Sequence, residues 1–273
     1  MKLLTLGALI SGLAFSFTGC MSTTSMGTVA SERKQLMIIP EFAWNKLADR
    51  NFNKFEKKAK SKSVYLVDPR LDNIMARLIP YANDYLADHR KQINWKINGN
   101  LSSKPNAHSF PSGQIIVNTA VYMFEDLSDD ELATLISHEM AHVIRGHSRE
   151  KASVYAATNL SLMGATLGAG YALGVAGGLT GNYGMTMPHH RHLEEEADLI
   201  GLDLMVRAGF DHKATLTFWE KFEANLSKRD TDTKFPSFLS SHPSNQQRKN
   251  VLMQNILAID LLQAKPARYS AQN

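Results

Sequence analysis

Cysteine is nearly missing from this sequence. Cys20 stands alone, which rules out an intrachain disulfide whatever the redox compartment. A long basic tract is missing too: 30 lysines and arginines against 26 acidic residues leave a formal charge of +4, spread along the chain, so nucleic-acid binding is not indicated. The densest patch, Lys54, Lys57, Lys58, Lys60 and Lys62, reads first as a solvated helix face and second as a surface favouring anionic lipid headgroups. No internal repeat is evident. The one long uncharged stretch, residues 155–184, is rich in glycine and interrupted by Asn159, Thr166, Thr180 and Asn182. Glycine is a poor helix former and alanine is weakly hydrophobic, so this stretch reads as a packed hairpin or lid near the active site rather than a membrane span. What is present is 273 residues, 44% of them hydrophobic, enough to fill one large domain with a real core.

The position of Cys20 says more than its number. Lys2, the apolar run Leu3 to Phe17 and the small pair Thr18-Gly19 precede it, the layout of a bacterial secretion signal that ends at a lipidation site. The segment resembles the lipobox of bacterial lipoproteins, with Phe17 where leucine is usual. The expected organisation is a signal peptide over 1–19, a Ser/Thr/Gly-rich tether over 20–32, a metallopeptidase domain over 33–265 and a tail over 266–273. Acyl chains such as palmitate on Cys20 would hold a soluble domain on a membrane surface. Met21 stands where such lipoproteins carry the aspartate that commonly signals inner-membrane retention. By that resemblance the protein belongs in the bacterial cell envelope, on the outer membrane facing the periplasm.

Helical spacing runs from Pro40 to Lys60 through Trp44, Leu47, Ala48, Phe52 and Phe55, and from Pro69 to Leu86 through Leu71, Ile74, Met75, Leu78 and Tyr81. Ile93 to Asn98 alternates as a half-buried strand that Gly99-Asn100 ends in a turn, and Gln114 to Asn118 is a second short strand. Ser128-Asp129-Asp130-Glu131 is a capping box. From it Leu132, Leu135, Ile136, Met140 and Val143 carry a helix to Gly146. Further helices are predicted over Leu193–Val206, Thr215–Leu226 and Gln246–Leu262. The fold class expected is α+β, predominantly helical, with a small sheet beside the active-site helix.

That helix carries His138-Glu139-Met140-Ala141-His142. Residues four apart share a helix face, so His138 and His142 project together and can ligate one Zn2+ per chain, with Glu139 beside them as general base. Catalytic zinc uses three protein ligands and keeps the fourth position open. A second cluster, Glu194-Glu195-Glu196-Ala197-Asp198, supplies what the pentapeptide lacks: Glu194 as third ligand and, four residues on, Asp198 to fix the tautomer of a ligating imidazole. Glu195 and Glu196 point about 100° and 200° away around that helix and read as solvated acidic face. His147 fails the spacing for a third histidine ligand, because Arg145 and Ser148 stand where a glycine and a histidine would be needed. It reads as a surface residue beyond the helix stop at Gly146. His189, His190 and His192 read as a solvated run before the next helix.

HEMAH and EEEAD, with NAHSFPSGQIIV upstream and SSHPSNQQR downstream, resemble the CAAX prenyl endopeptidase-like (HtpX/Oma-type) family of gluzincins, closest to its small periplasmic lipoprotein branch. The resemblance implies a zincin-like fold, zinc on His138, His142 and Glu194, and a loop and edge strand over Asn106–Val117 where substrate adds as an extra strand. Asn106, Gly113, Ile115 and Val117 are its expected substrate contacts. His108 departs from the aromatic or apolar residue usual there. The resemblance also implies that His242 lies near the metal, stabilising the oxyanion or restraining access, with Arg248 supporting its loop. Neither the helical-repeat domain nor the transmembrane helices of larger relatives are expected. The function implied is a zinc metalloendopeptidase acting on unfolded or misassembled envelope polypeptides, with envelope-assembly factors or other proteases as partners. The alternatives are a zinc-stabilised lipoprotein that binds or chaperones such proteins and a latent, self-plugged protease.

Overall fold

Six helices form where apolar spacing predicts them, and two, over Thr119–Tyr122 and His147–Met163, form where it predicts none. In this computed structural model they are α1 (Glu41–Ser61), α2 (Pro69–Asp84), α3 (Thr119–Tyr122), α4 (Asp129–Ile144), α5 (His147–Met163), α6 (His189–Arg207), α7 (Ala214–Arg229) and α8 (Gln246–Ala264). The structure describes residues 20–24, 33–87, 90, 92–122, 127–163, 189–229, 242 and 246–264. The expected signal peptide, most of the tether, most of the glycine-rich stretch and the C-terminal tail lie outside the described residues. Among those described, no helix is long and apolar enough to cross a membrane.

Strands Tyr65–Leu66 (β3), Lys96–Asn100 (β4), Ala107–Ser109 (β5) and Gln114–Asn118 (β6) build one sheet in the order β3-β4-β6-β5, with β4 and β6 parallel and the other pairs antiparallel. Gly99 and Asn100 do not make a turn. They pair with Leu66 and Tyr65 on one side and with Val117 and Asn118 on the other. The site is close-packed: a Cβ on Gly99 would lie 2.7 Å from the Tyr122 hydroxyl and 3.2 Å from Leu66 Cβ, so a larger residue would displace the tyrosine. A separate ribbon pairs Cys20–Met21 (β1) with Gln35–Leu36 (β2). Thr23 and Thr24 are buried, so the expected tether is already part of the domain over its first residues.

Helix α4 is the centre of the molecule. Ser128 Oγ accepts from the Glu131 backbone N–H at 3.1 Å while the Glu131 carboxylate accepts from the Ser128 N–H at 2.9 Å, so both halves of the capping box are made. Leu132, Leu135, Ile136, Met140 and Ile144 then pack into one core with Leu78 of α2, Ile200 and Leu204 of α6 and Phe218 of α7. Helix α6 crosses α4 at Gly201. A Cβ there would sit 3.1 Å from both the His138 backbone nitrogen and Ser137 Oγ, so the glycine sets how closely the two helices approach. That approach brings the two motifs of the sequence face to face.

Candidate metal centre

His138 and His142 leave α4 on its α6-facing side and meet Glu194, which α6 presents one turn before Asp198. His242 arrives from the segment between α7 and α8. One ligand atom from each of His138, His142, Glu194 and His242 lies within 4.8 Å of all the others. His138 Nε2 is 3.0 Å from His142 Nε2, 3.3 Å from Glu194 Oε2 and 3.2 Å from His242 Nδ1; His142 Nε2 is 3.6 Å from Glu194 Oε1. Zinc bonds of about 2.0–2.2 Å place tetrahedral donors roughly 3.3–3.6 Å apart, so these separations suit one such ion. Glu194 Oε1 finds no hydrogen-bond partner among the described residues, although it is buried in a cluster of imidazoles. A buried carboxylate oxygen without a donor, facing three imidazoles, fits a cation.

The surroundings fix each group. His138 Nδ1 is 3.0 Å from Asp198 Oδ1, and Arg248 donates to Asp198 from Nε at 2.7 Å and from Nη2 at 2.8 Å. The Arg248 guanidinium also lies 4.9 Å from the centre of the Trp219 ring, whose edge-to-face contact with His138 is 5.8 Å. Burial alone would lower the His138 pKa, but Asp198 and then Glu194 overcome it and raise it to about 9. Burial pushes His142 well below the usual histidine range, only partly offset by Glu194. Burial would raise Glu194, yet the surrounding histidines hold it well below the usual carboxylate range. Glu139, one residue along α4, lies beside this group rather than in it. Its Oε2 accepts from Ser109 Oγ at 2.7 Å, and its Oε1 is 3.3 Å from His242 Nε2.

Several sequence-based expectations need correction. Ile115 and Val117 are fully buried in β6, which is paired on both sides, so they are not open to a substrate; the sheet edge nearest α4 is β5. Gly113 has a φ of +106° in the turn between β5 and β6, where a Cβ would come 2.4 Å from the Ile93 side chain, so its demand is conformational. Asn106 starts the hairpin, its carbonyl accepting from Asn118 N–H at 2.9 Å. His108 packs against Phe55 and Phe110, and burial lowers its pKa. Glu196 is not solvated: it is buried between Arg33, Arg145 and His147. Nor is His147 at the surface, being 1% exposed. Glu195 is half-buried. His189, His190 and His192 form the first turn of α6 rather than preceding it, and His192 is exposed.

The profile of peptidase family M48 matches residues 66–256, a span that holds both motifs and both helices of this centre. The chain belongs to peptidase family M48. Among curated M48-like proteins it is 32% identical over 164 residues to the mitochondrial metalloendopeptidase OMA1 of Schizosaccharomyces pombe, covering 57% of this chain and 45% of that one. It is 33% identical over 173 residues to the human mitochondrial metalloendopeptidase OMA1, covering 59% and 32%. To the beta-barrel assembly-enhancing protease of Escherichia coli it is 27% identical over 194 residues, covering 67% and 37%. The chain spans less than half the length of these three relatives. M48 peptidases are zinc-dependent, and the donor set described above can hold that one ion.

Proposed function

We propose that this protein is a membrane-anchored zinc metalloendopeptidase that cleaves unfolded or misassembled proteins of the bacterial cell envelope. The observation that carries the peptidase reading is the convergence of His138, His142 and Glu194 with Glu139 beside them. Those three side chains would hold zinc, whose Lewis acidity when bound would polarise a peptide carbonyl and lower the pKa of an attacking water. Glu139 can take a proton from the attacking water on Oε1 and return it to the leaving amine, while Ser109 holds its other oxygen in place. Asp198, with Oδ1 3.0 Å from His138 Nδ1, favours the proton on that nitrogen and so keeps Nε2 free as a metal ligand, and Arg248 locks Asp198 from behind. His242 stands where it can donate to developing negative charge. A substrate backbone can extend the sheet at β5, beside Ser109.

The envelope reading draws support from the signal layout before Cys20 and from the name of the beta-barrel assembly-enhancing protease. Casein is expected to be cleaved by the full chain in detergent, with cleavage lost on chelation and restored by zinc. One observation favours a latent form of the same enzyme: His242 Nδ1 lies 2.8 Å from Glu194 Oε2, inside the donor group. Cleavage by His242→Ala but not by the wild type would establish latency; no cleavage by either, with zinc bound, would favour a binding lipoprotein. Cys20→Ser is expected to leave the membrane fraction and to lose labelling by radioactive palmitate. A variant that stayed membrane-bound would remove the lipid anchor from the proposal.

A further inference from the structure

The two zinc-facing histidines of α4 are supported differently. His138 has a carboxylate, Asp198, directly at its outer nitrogen. His142 has another histidine there: His142 Nδ1 is 2.8 Å from His147 Nδ1, and His147 Nε2 is 3.0 Å from Glu196 Oε2. We propose that His147 and Glu196 form a relayed carboxylate–histidine arm that sets the tautomer and orientation of His142, making both of them positioning residues of the metal centre. The inference rests on the reading of His142 as a zinc ligand given above.

The geometry leaves one consistent set of protons. If His142 Nε2 gives its lone pair to zinc, the neutral ring carries its proton on Nδ1, which must donate to His147 Nδ1. His147 then holds its single proton on Nε2, aimed at Glu196. Arg33 donates to Glu196 Oε2 from Nε at 3.1 Å and from Nη2 at 2.6 Å, and Arg145 Nη2 lies 2.7 Å from Glu196 Oε1. Arg145, which is buried, and Arg33, which is half-buried, would leave one positive charge in excess beside a single carboxylate, and Glu150 restores the balance by pairing with Arg33 at 2.6 Å.

This balanced cluster is closed by the N-terminal segment. Gln35 donates to the Arg145 carbonyl and to Glu150, both at 2.7 Å; Thr23 donates to Gln35 at 2.8 Å; and Arg145 donates to Thr24 at 3.0 Å. The arm therefore runs from the segment just after Cys20 to the metal-facing side of α4.

The test is the zinc dissociation constant of the full chain in detergent, measured by competition with a chromophoric chelator. His147→Leu removes the acceptor and is expected to weaken zinc binding roughly 10- to 100-fold, the usual cost of losing an outer-shell partner. His147→Gln, whose amide can accept from His142 and donate to Glu196, is expected to recover most of that loss, which mere space-filling would not predict. Should the leucine variant fail to fold, nitrogen-15 NMR of the zinc-loaded wild type decides the question. The arm requires His147 to be protonated at Nε2 and bare at Nδ1, and the opposite tautomer or a doubly protonated ring would overturn it. Unchanged affinity in His147→Leu, with zinc bound to the wild type, would sink the arm alone. A wild type that binds no zinc would sink the reading of the whole site.

Discussion

Glu139→Gln is expected to bind one zinc per chain as the wild type does and to lose at least about 100-fold in kcat/KM against an unfolded substrate, the lower end of what a positioned general base contributes. The two halves of that expectation come from different contacts. Metal should be retained because Glu139 is not among the converging donors. The fold should be retained because the glutamine carbonyl can still accept the 2.7 Å hydrogen bond from Ser109. What the amide cannot do is take a proton from water and hand it on. A hundredfold loss corresponds to about 2.7 kcal/mol of transition-state stabilisation. Steady-state cleavage beside metal analysis checks both halves, and equal cleavage by the mutant would remove Glu139 from the mechanism.

Glu194→Ala is expected to abolish stoichiometric zinc binding, whereas Glu195→Ala should leave it intact. The residues are neighbours with the same chemistry, so the comparison isolates placement. Glu194 is fully buried and sits within 3.3 Å of His138 and 2.8 Å of His242, and its second oxygen has no hydrogen-bond donor among the described residues. Glu195 lies about 100° further around α6, and its ion-pair contact is with His192 of its own first turn, at 3.9 Å. Loss of a direct ligand should exceed the roughly 10- to 100-fold effect of an outer-shell change. Metal content after dialysis reads the difference. Zinc retained by Glu194→Ala, or lost from Glu195→Ala, would mean that the third ligand had been misassigned.

The contrast between those two glutamates also shows what a linear sequence can disclose. Helical period told which side chains share a direction, so His138 with His142 and Glu194 with Asp198 were legible, as was the capping box that starts α4. Period does not tell what lies in the other directions. Glu196 points away from the metal, as expected, but into a layer made by Arg33, Arg145 and Gln35 from distant parts of the chain. His147 follows a helix stop that is real, Gly146 having a φ of +61°, yet a new helix begins at once and turns the residue back under His142. Ser109 was hidden for a related reason: β5 is three residues long, too short to show alternation, and only pairing with β6 reveals which way its hydroxyl points. Burial of charge between segments far apart in sequence has no local signature. The pairing of arginines with glutamates in the N-terminal layer is the clearest case.

The β1–β2 pairing has a bearing on where such an enzyme could work. A free chain over the thirteen residues 20–32 would allow a leash of up to roughly 45 Å at full extension. The ribbon, with Thr23 and Thr24 buried behind it, takes up that slack. A lipid on Cys20 would then hold the body of the protease against the headgroups in a restricted set of orientations, and its working radius would be that of the domain itself. Its substrates would be chains that linger at the bilayer, not those passing through the open compartment.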